Sequence, residues 1–157
     1  GEDDLARAVR AALAAAGEKT SDEALARACA RAEGSAREAL RLIEAGEGAV
    51  DGLTAKALAQ LPDLDWIIPH LIGDAVAARE AENEFDAFLR AVFAWLSQCL
   101  HRNPGLGPRA LAPYAEAWAF LEREARDLDI YNLDKRAFVI VVFSRLVATV
   151  RAARAAA

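Results

Sequence analysis

The sequence has no methionine, only two cysteines and two histidines, and no surplus of positive charge. Each shortage closes off a class of function. His70 and His101 fall on separate segments, with no paired-cysteine motif and no His-Glu-x-x-His run beside them, so a metal centre of the usual ligands is not expected. Also missing is the glycine-rich loop ending in Lys-Ser or Lys-Thr that cradles nucleotide phosphates. A formal charge of −5 argues against a dedicated nucleic-acid-binding domain, while leaving room for a local basic patch that touches phosphate. No uncharged apolar run is long enough to span a bilayer and no signal peptide is visible, so the expectation is a soluble, cytoplasmic protein. Cys29 and Cys99 each fall on the apolar side of an expected helix, as buried free thiols in a reducing compartment would. Gly1 at the start of a chain without methionine suggests a processed or truncated piece of a longer protein.

What is abundant is alanine, arginine and aliphatic side chains. Hydrophobic residues make up 55% of the 157, enough for a folded core in place of disorder. Their spacing is helical throughout. Leu5, Ala8, Val9, Ala12 and Leu13 predict a first helix from about Asp4 to Ala16, closed at Gly17. Thr20 and Glu23 have capping-box spacing ahead of Leu25, Ala28, Cys29 and Ala32. A third short helix then runs to about Gly46. Gly46, Gly48 and Gly52 mark a change of module, which divides the chain into 1–48 and 49–157.

The second part reads as five helices. One spans about Leu53 to Leu61, stopped by Pro62. The stripe Leu64, Ile67, Ile68, Leu71, Ile72, Ala75 and Val76 contains Pro69, so that helix starts late or bends. Phe85, Phe88, Leu89, Val92, Phe93, Leu96 and Leu100 make the most regular amphipathic run. Asn103 to Pro108 is a loop, after which Leu111, Tyr114, Trp118, Leu121, Ala125 and Leu128 share a face. The run Phe138 to Phe143 has strand-like composition, but Leu146, Val147 and Val150 continue a helical period. It reads as an apolar, central helix capped by Asn132, with Asp134 in its first turn and Arg151 and Arg154 in its last. Glu80, Glu82, Glu84 and Asp86 alternate and spread round the polar side of a helix start as solvated charges. The fold class is therefore all-α: a small three-helix bundle followed by a larger helical bundle.

The third helix carries the most specific local signal. Gly34-Ser35-Ala36-Arg37-Glu38-Ala39-Leu40 opens it, with Ser35 and Glu38 spaced as a capping box. Ala36, Ala39, Leu40 and Ile43 form one face and leave Arg37 and Arg41 on another. A helix start with a basic side chain in its first turn suits a phosphate.

This stretch resembles the second-sensor helix in the lid of clamp-loader AAA+ proteins. Ala115-Glu116-Ala117-Trp118, followed by Asn132-Leu133-Asp134-Lys135-Arg136 and the long apolar helix, resembles the end of delta-prime chains of the bacterial DNA polymerase III clamp loader. The resemblance covers nearly the whole chain and implies a lid (1–48) followed by a helical collar (49–157), with the nucleotide-binding AAA+ module absent. On that basis Arg37 is the second-sensor-like position and Gly34, Ser35 and Glu38 the lid-helix start. Arg145, Arg151 and Arg154 remain for subunit or phosphate contacts. The chain alone would be no enzyme, would hold no cofactor and would neither bind nor hydrolyse ATP. Its partners would be other clamp-loader subunits, with the sliding clamp and primed DNA met indirectly and no membrane involved. Many delta-prime chains have glycine at the position of Arg37 and arginine one place later, a pattern from which Arg37-Glu38 departs. A catalytic clamp-loader subunit therefore stays open as the family member. Outside the family, the alternative is a ligand-binding helical bundle of a regulator, marked by a pocket of Phe, Trp and Leu with a few polar groups.

Overall fold

A computed structural model describes residues 1–15, 17, 20–32, 34–44, 49–103 and 105–157. Ala16, Gly46, Gly48 and Pro104 lie outside these residues, as does the side chain of Arg41. Among the described residues there are eight α-helices and no strand. They are α1 (Glu2–Ala15), α2 (Asp22–Arg31), α3 (Ala36–Glu44), α4 (Ala49–Gln60), α5 (Ile67–Ala77), α6 (Glu82–His101), α7 (Pro108–Tyr131) and α8 (Lys135–Ala156). The chain divides into two compact units, Gly1–Ala49 and Val50–Ala157. No described helix is long and apolar enough to cross a membrane.

In the first unit α1, α2 and α3 all pack on one another. Leu5, Val9 and Leu13 of α1 bury against Leu25 and Cys29 of α2 and Ala39 of α3. Gly17 closes the α1 segment with a φ of 74°, a left-handed conformation that glycine takes without a Cβ clash. The cap of α2 differs from the expected one. Ser21, not Thr20, is the N-cap, and its Oγ accepts from the Ala24 amide at 3.1 Å. Starting there puts both Asp22 and Glu23 in the first turn, where the helix dipole favours them.

The second unit is built round α8. Phe138, Val139, Val142, Phe143, Leu146, Val147 and Val150 are all buried, so the strand-like run is a core helix. Close backbone neighbours of α8 are α7 and α5. Helix α6 reaches it through ring pairs, Phe85 on Phe138 and Phe88 on Phe143, with centroids 5.6 and 6.0 Å apart. Those pairs set α6 and α8 in the same direction. Phe93 on Trp118 and Trp95 on Tyr114 set α7 against α6. Helices α5 to α8 thus form an up-down-up-down bundle in which α5 packs on both α6 and α8.

Two boundaries depart from the sequence expectation, each for a local reason, and of the two expected forms of α5 the late start is the one found. Helix α4 starts at Ala49, not near Leu53, and takes Gly52 into its second turn. Burial of Val50, Thr54, Ala57 and Leu58 along one face outweighs the ~1 kcal/mol that an interior glycine costs a helix. Helix α5 starts at Ile67, which puts Pro69 in the first turn, where its missing N–H leaves no bond unmade. Asn132 closes α7 in a left-handed conformation (φ 48°), and the cap of α8 is Asp134, whose carboxylate accepts from the Arg136 amide at 3.0 Å. Asparagine tolerates the left-handed region better than most residues, so it ends the earlier helix and leaves the next cap to an aspartate.

Candidate functional site

The start of α3 is shaped as a helix entry. Gly34 has a φ of 86°, which admits glycine at no steric cost. The Ser35 hydroxyl accepts from the Glu38 amide at 3.2 Å, and the Ser35 amide donates to the Ala32 carbonyl at 2.8 Å. The serine half of the capping box is therefore formed, while the serine amide is bonded to backbone. Arg37 follows in the first turn, exposed and with no ion pair among the described residues.

Of the four arginines of α8, the three expected to make contacts, Arg145, Arg151 and Arg154, do not act as one cluster. Arg145 is half-buried and lies over the ring of Phe120, 4.7 Å from its centroid. Arg151 and Arg154 are exposed, and Arg154 is in the last turn, favourable for the dipole. Arg145 and Arg154 are about two and a half turns apart and so share no face.

What the sequence did not signal is the apolar surface of the second unit. Ile67 (60% exposed) and Leu71 (47%) belong to the expected α5 stripe but face outward beside Trp66. Ile130, Tyr131 and Leu133 stand out at the α7 to α8 corner, at 63%, 68% and 50% exposure, and Val141 is exposed on α8. The only available signal was that Ile130, Tyr131 and Leu133 fall outside the α7 stripe and next to a turn.

Between α6 and α7 lies an open groove of about 380 Å³, lined by Phe93, Trp118, Glu122, Ala125 and Arg126. The Trp118 indole N–H donates to the Glu122 carboxylate at 3.0 Å, fixing the ring edge. A ligand-binding bundle would show a pocket of Phe, Trp and Leu with a few polar groups. This groove has one Phe, one Trp and two charged side chains, no leucine, and opens to solvent.

Of the remaining chemistry-bearing groups, His101 bonds back to its own helix, its Nδ1 2.8 Å from the Ser97 carbonyl. Glu84 is half-buried, whereas Glu82 and Asp86 are solvated as expected. Among the described residues no three His, Cys, Asp or Glu side chains gather as a metal site. Neither cysteine forms a disulfide, Cys29 being buried and Cys99 half-buried.

Burial pushes the Cys99 thiol up to about 11 from an ordinary 9.0. Tyr114 is also raised, first by burial and then by the neighbouring Cys99, with Arg154 opposing. Because the thiolate is the reactive form, Cys99 in a Cys29→Ala background should react with a disulfide reagent at pH 8 about a hundredfold more slowly folded than in denaturant. A thiol raised in the folded state favours folding in full below its ordinary value, and that contribution fades as pH rises from 9 to about 11. Equal labelling rates in the two states would contradict this placement of Cys99.

No protein-family model, curated protein or solved structure matches the chain.

Proposed function

We propose that the chain is the lid and collar portion of a bacterial clamp-loader subunit of the delta-prime kind. The unit Gly1–Ala49 would be the lid, and Val50–Ala157 the collar that holds the subunit in the loader ring. The observation that carries this reading is the set of large apolar side chains exposed on the second unit: Trp66, Ile67, Leu71, Ile130, Tyr131, Leu133 and Val141. Six of them fall in two short stretches, at the start of α5 and at the α7 to α8 corner, and exposed apolar groups of that kind suit an interaction site. The first unit adds the entry of α3, with Gly34 left-handed, Ser35 capping and Arg37 exposed in the first turn. On this reading the chain does no chemistry of its own and acts in the cytoplasm. It meets the sliding clamp and primed DNA only through partner subunits, and Arg151 and Arg154 are free to face those partners. Arg37 stands where ATPase members of the family carry the arginine that reaches nucleotide phosphates. That position favours a catalytic clamp-loader subunit as the second reading.

Reconstitution tests the proposal. The full-length subunit lacking residues 50–157 should fail to co-elute with its partner subunits on size exclusion, and assembly that survives the deletion would sink the collar assignment. Titration calorimetry of the present chain should show no saturable ATP binding at micromolar levels, since one arginine and a few backbone amides cannot hold the nucleotide against its hydration.

A further inference from the structure

We propose that α7 is a self-recognition surface on which a second copy of this chain packs antiparallel about a two-fold axis, independently of the clamp-loader reading. Trp118, Glu122, Arg126 and Ile130 follow at four-residue intervals and form one slowly turning stripe along the helix. Glu122 is turned toward Trp118, bonded to the indole at 3.0 Å, and not toward Arg126, although the spacing would permit that pair. Arg126 has no ion pair among the described residues, and both charges line the same open groove over Phe93 and Trp118. The groove therefore offers an aromatic floor with an acid and a base one turn apart on its rim.

That pattern complements itself. In an antiparallel pairing centred level with residue 124, Glu122 meets Arg126 of the second copy and Trp118 meets its Ile130, and the symmetry repeats each pair. Ile130 is 63% exposed in the single chain, so the pairing gives an apolar side chain a partner as well as both charges. Arg123 falls opposite Ala125 and Asp129 opposite Ala119, so no like charges meet along the stripe. Glu124 sits level with the axis but projects about 180° from the stripe's centre and is half-buried in its own unit. Over its 24 residues α7 is about 36 Å long, enough for a modest interface of the weaker, concentration-dependent class.

Sedimentation equilibrium of the full chain tests this at concentrations up to the order of 100 µM. The wild-type chain should approach twice its monomer mass. Glu122→Arg and Arg126→Glu should each weaken the dimer by about tenfold or more, because each replaces two opposite-charge meetings with two like-charge ones. Mixed together, the two variants should pair with each other, since every charge then meets its opposite. Ile130→Glu should also lose the dimer. All three positions are exposed, and circular dichroism should show unchanged helix content. A wild-type chain that stays monomeric would assign the groove to some other partner and overturn the proposal. So would single variants that dimerise like wild type, or a mixture that fails to pair.

Discussion

Phe143→Ala should destabilise the second unit by about 3–5 kcal/mol, the range for deleting a fully buried phenylalanine where the surroundings relax only in part. Phe143 has no exposed surface and meets Phe88, itself fully buried, across the bundle at 6.0 Å. Removing the ring leaves a void between α6 and α8, two helices whose backbones do not approach and which depend on such rings for contact. Trp66, Trp95 and Trp118 are the only tryptophans and all lie in this unit. Urea unfolding followed by tryptophan fluorescence therefore reports the second unit alone. A midpoint unchanged from wild type would show that the Phe88 and Phe143 pair does not hold the bundle.

The second large effect is expected at Gly73, with a sign that depends on the size of the replacement. A Cβ there would lie 3.4 Å from the Arg136 Cα, and one turn of α5 rests on α8 at this spot. The adjacent Asp74 takes an exposed ion pair from Arg136 at 2.9 Å. Alanine just fits the space, and its better helix propensity should leave Gly73→Ala neutral or up to ~1 kcal/mol more stable. Leucine has nowhere to go except into backbone, so Gly73→Leu should push α5 off α8 and cost about 2–3 kcal/mol. Thermal melts of the two variants decide it. If both substitutions shift the melt alike, the close approach at Gly73 is not what limits the site.

Much of the helical order was legible because apolar spacing repeats over long stretches. Phe85 to Leu100 fixed α6, and Leu146 to Val150 separated a helix from a strand at Phe138 to Phe143. Caps were read less well. Thr20 and Ser21 are adjacent hydroxyls, as Asn132 and Asp134 are near-adjacent side chains that can both cap. Which one acts depends on where the neighbouring helix ends, a tertiary fact. The α5 stripe shows a deeper limit. Ile67, Ile68, Leu71 and Ile72 make an apolar band wider than one neighbour can cover, and α8 and α6 bury Ile68 and Ile72 while Ile67 and Leu71 face out. Periodicity reports that a face is apolar and is silent on what covers it. For the same reason the groove of Phe93, Trp118, Glu122 and Arg126 could not be read in advance. It joins side chains of two helices whose meeting only packing decides.

The corner between α7 and α8 has a consequence for how its side chains are displayed. Three residues, Asn132 to Asp134, make the whole turn. The Leu133 amide returns to the Leu128 carbonyl at 3.0 Å while Asp134 caps the next helix. Ile130, Tyr131 and Leu133 thus stand outward from a backbone whose freedom was given up when the bundle folded. Whatever docks on them meets a fixed shape and loses little further entropy in ordering it, so a small contact area there binds more tightly than the same side chains would on a loose loop.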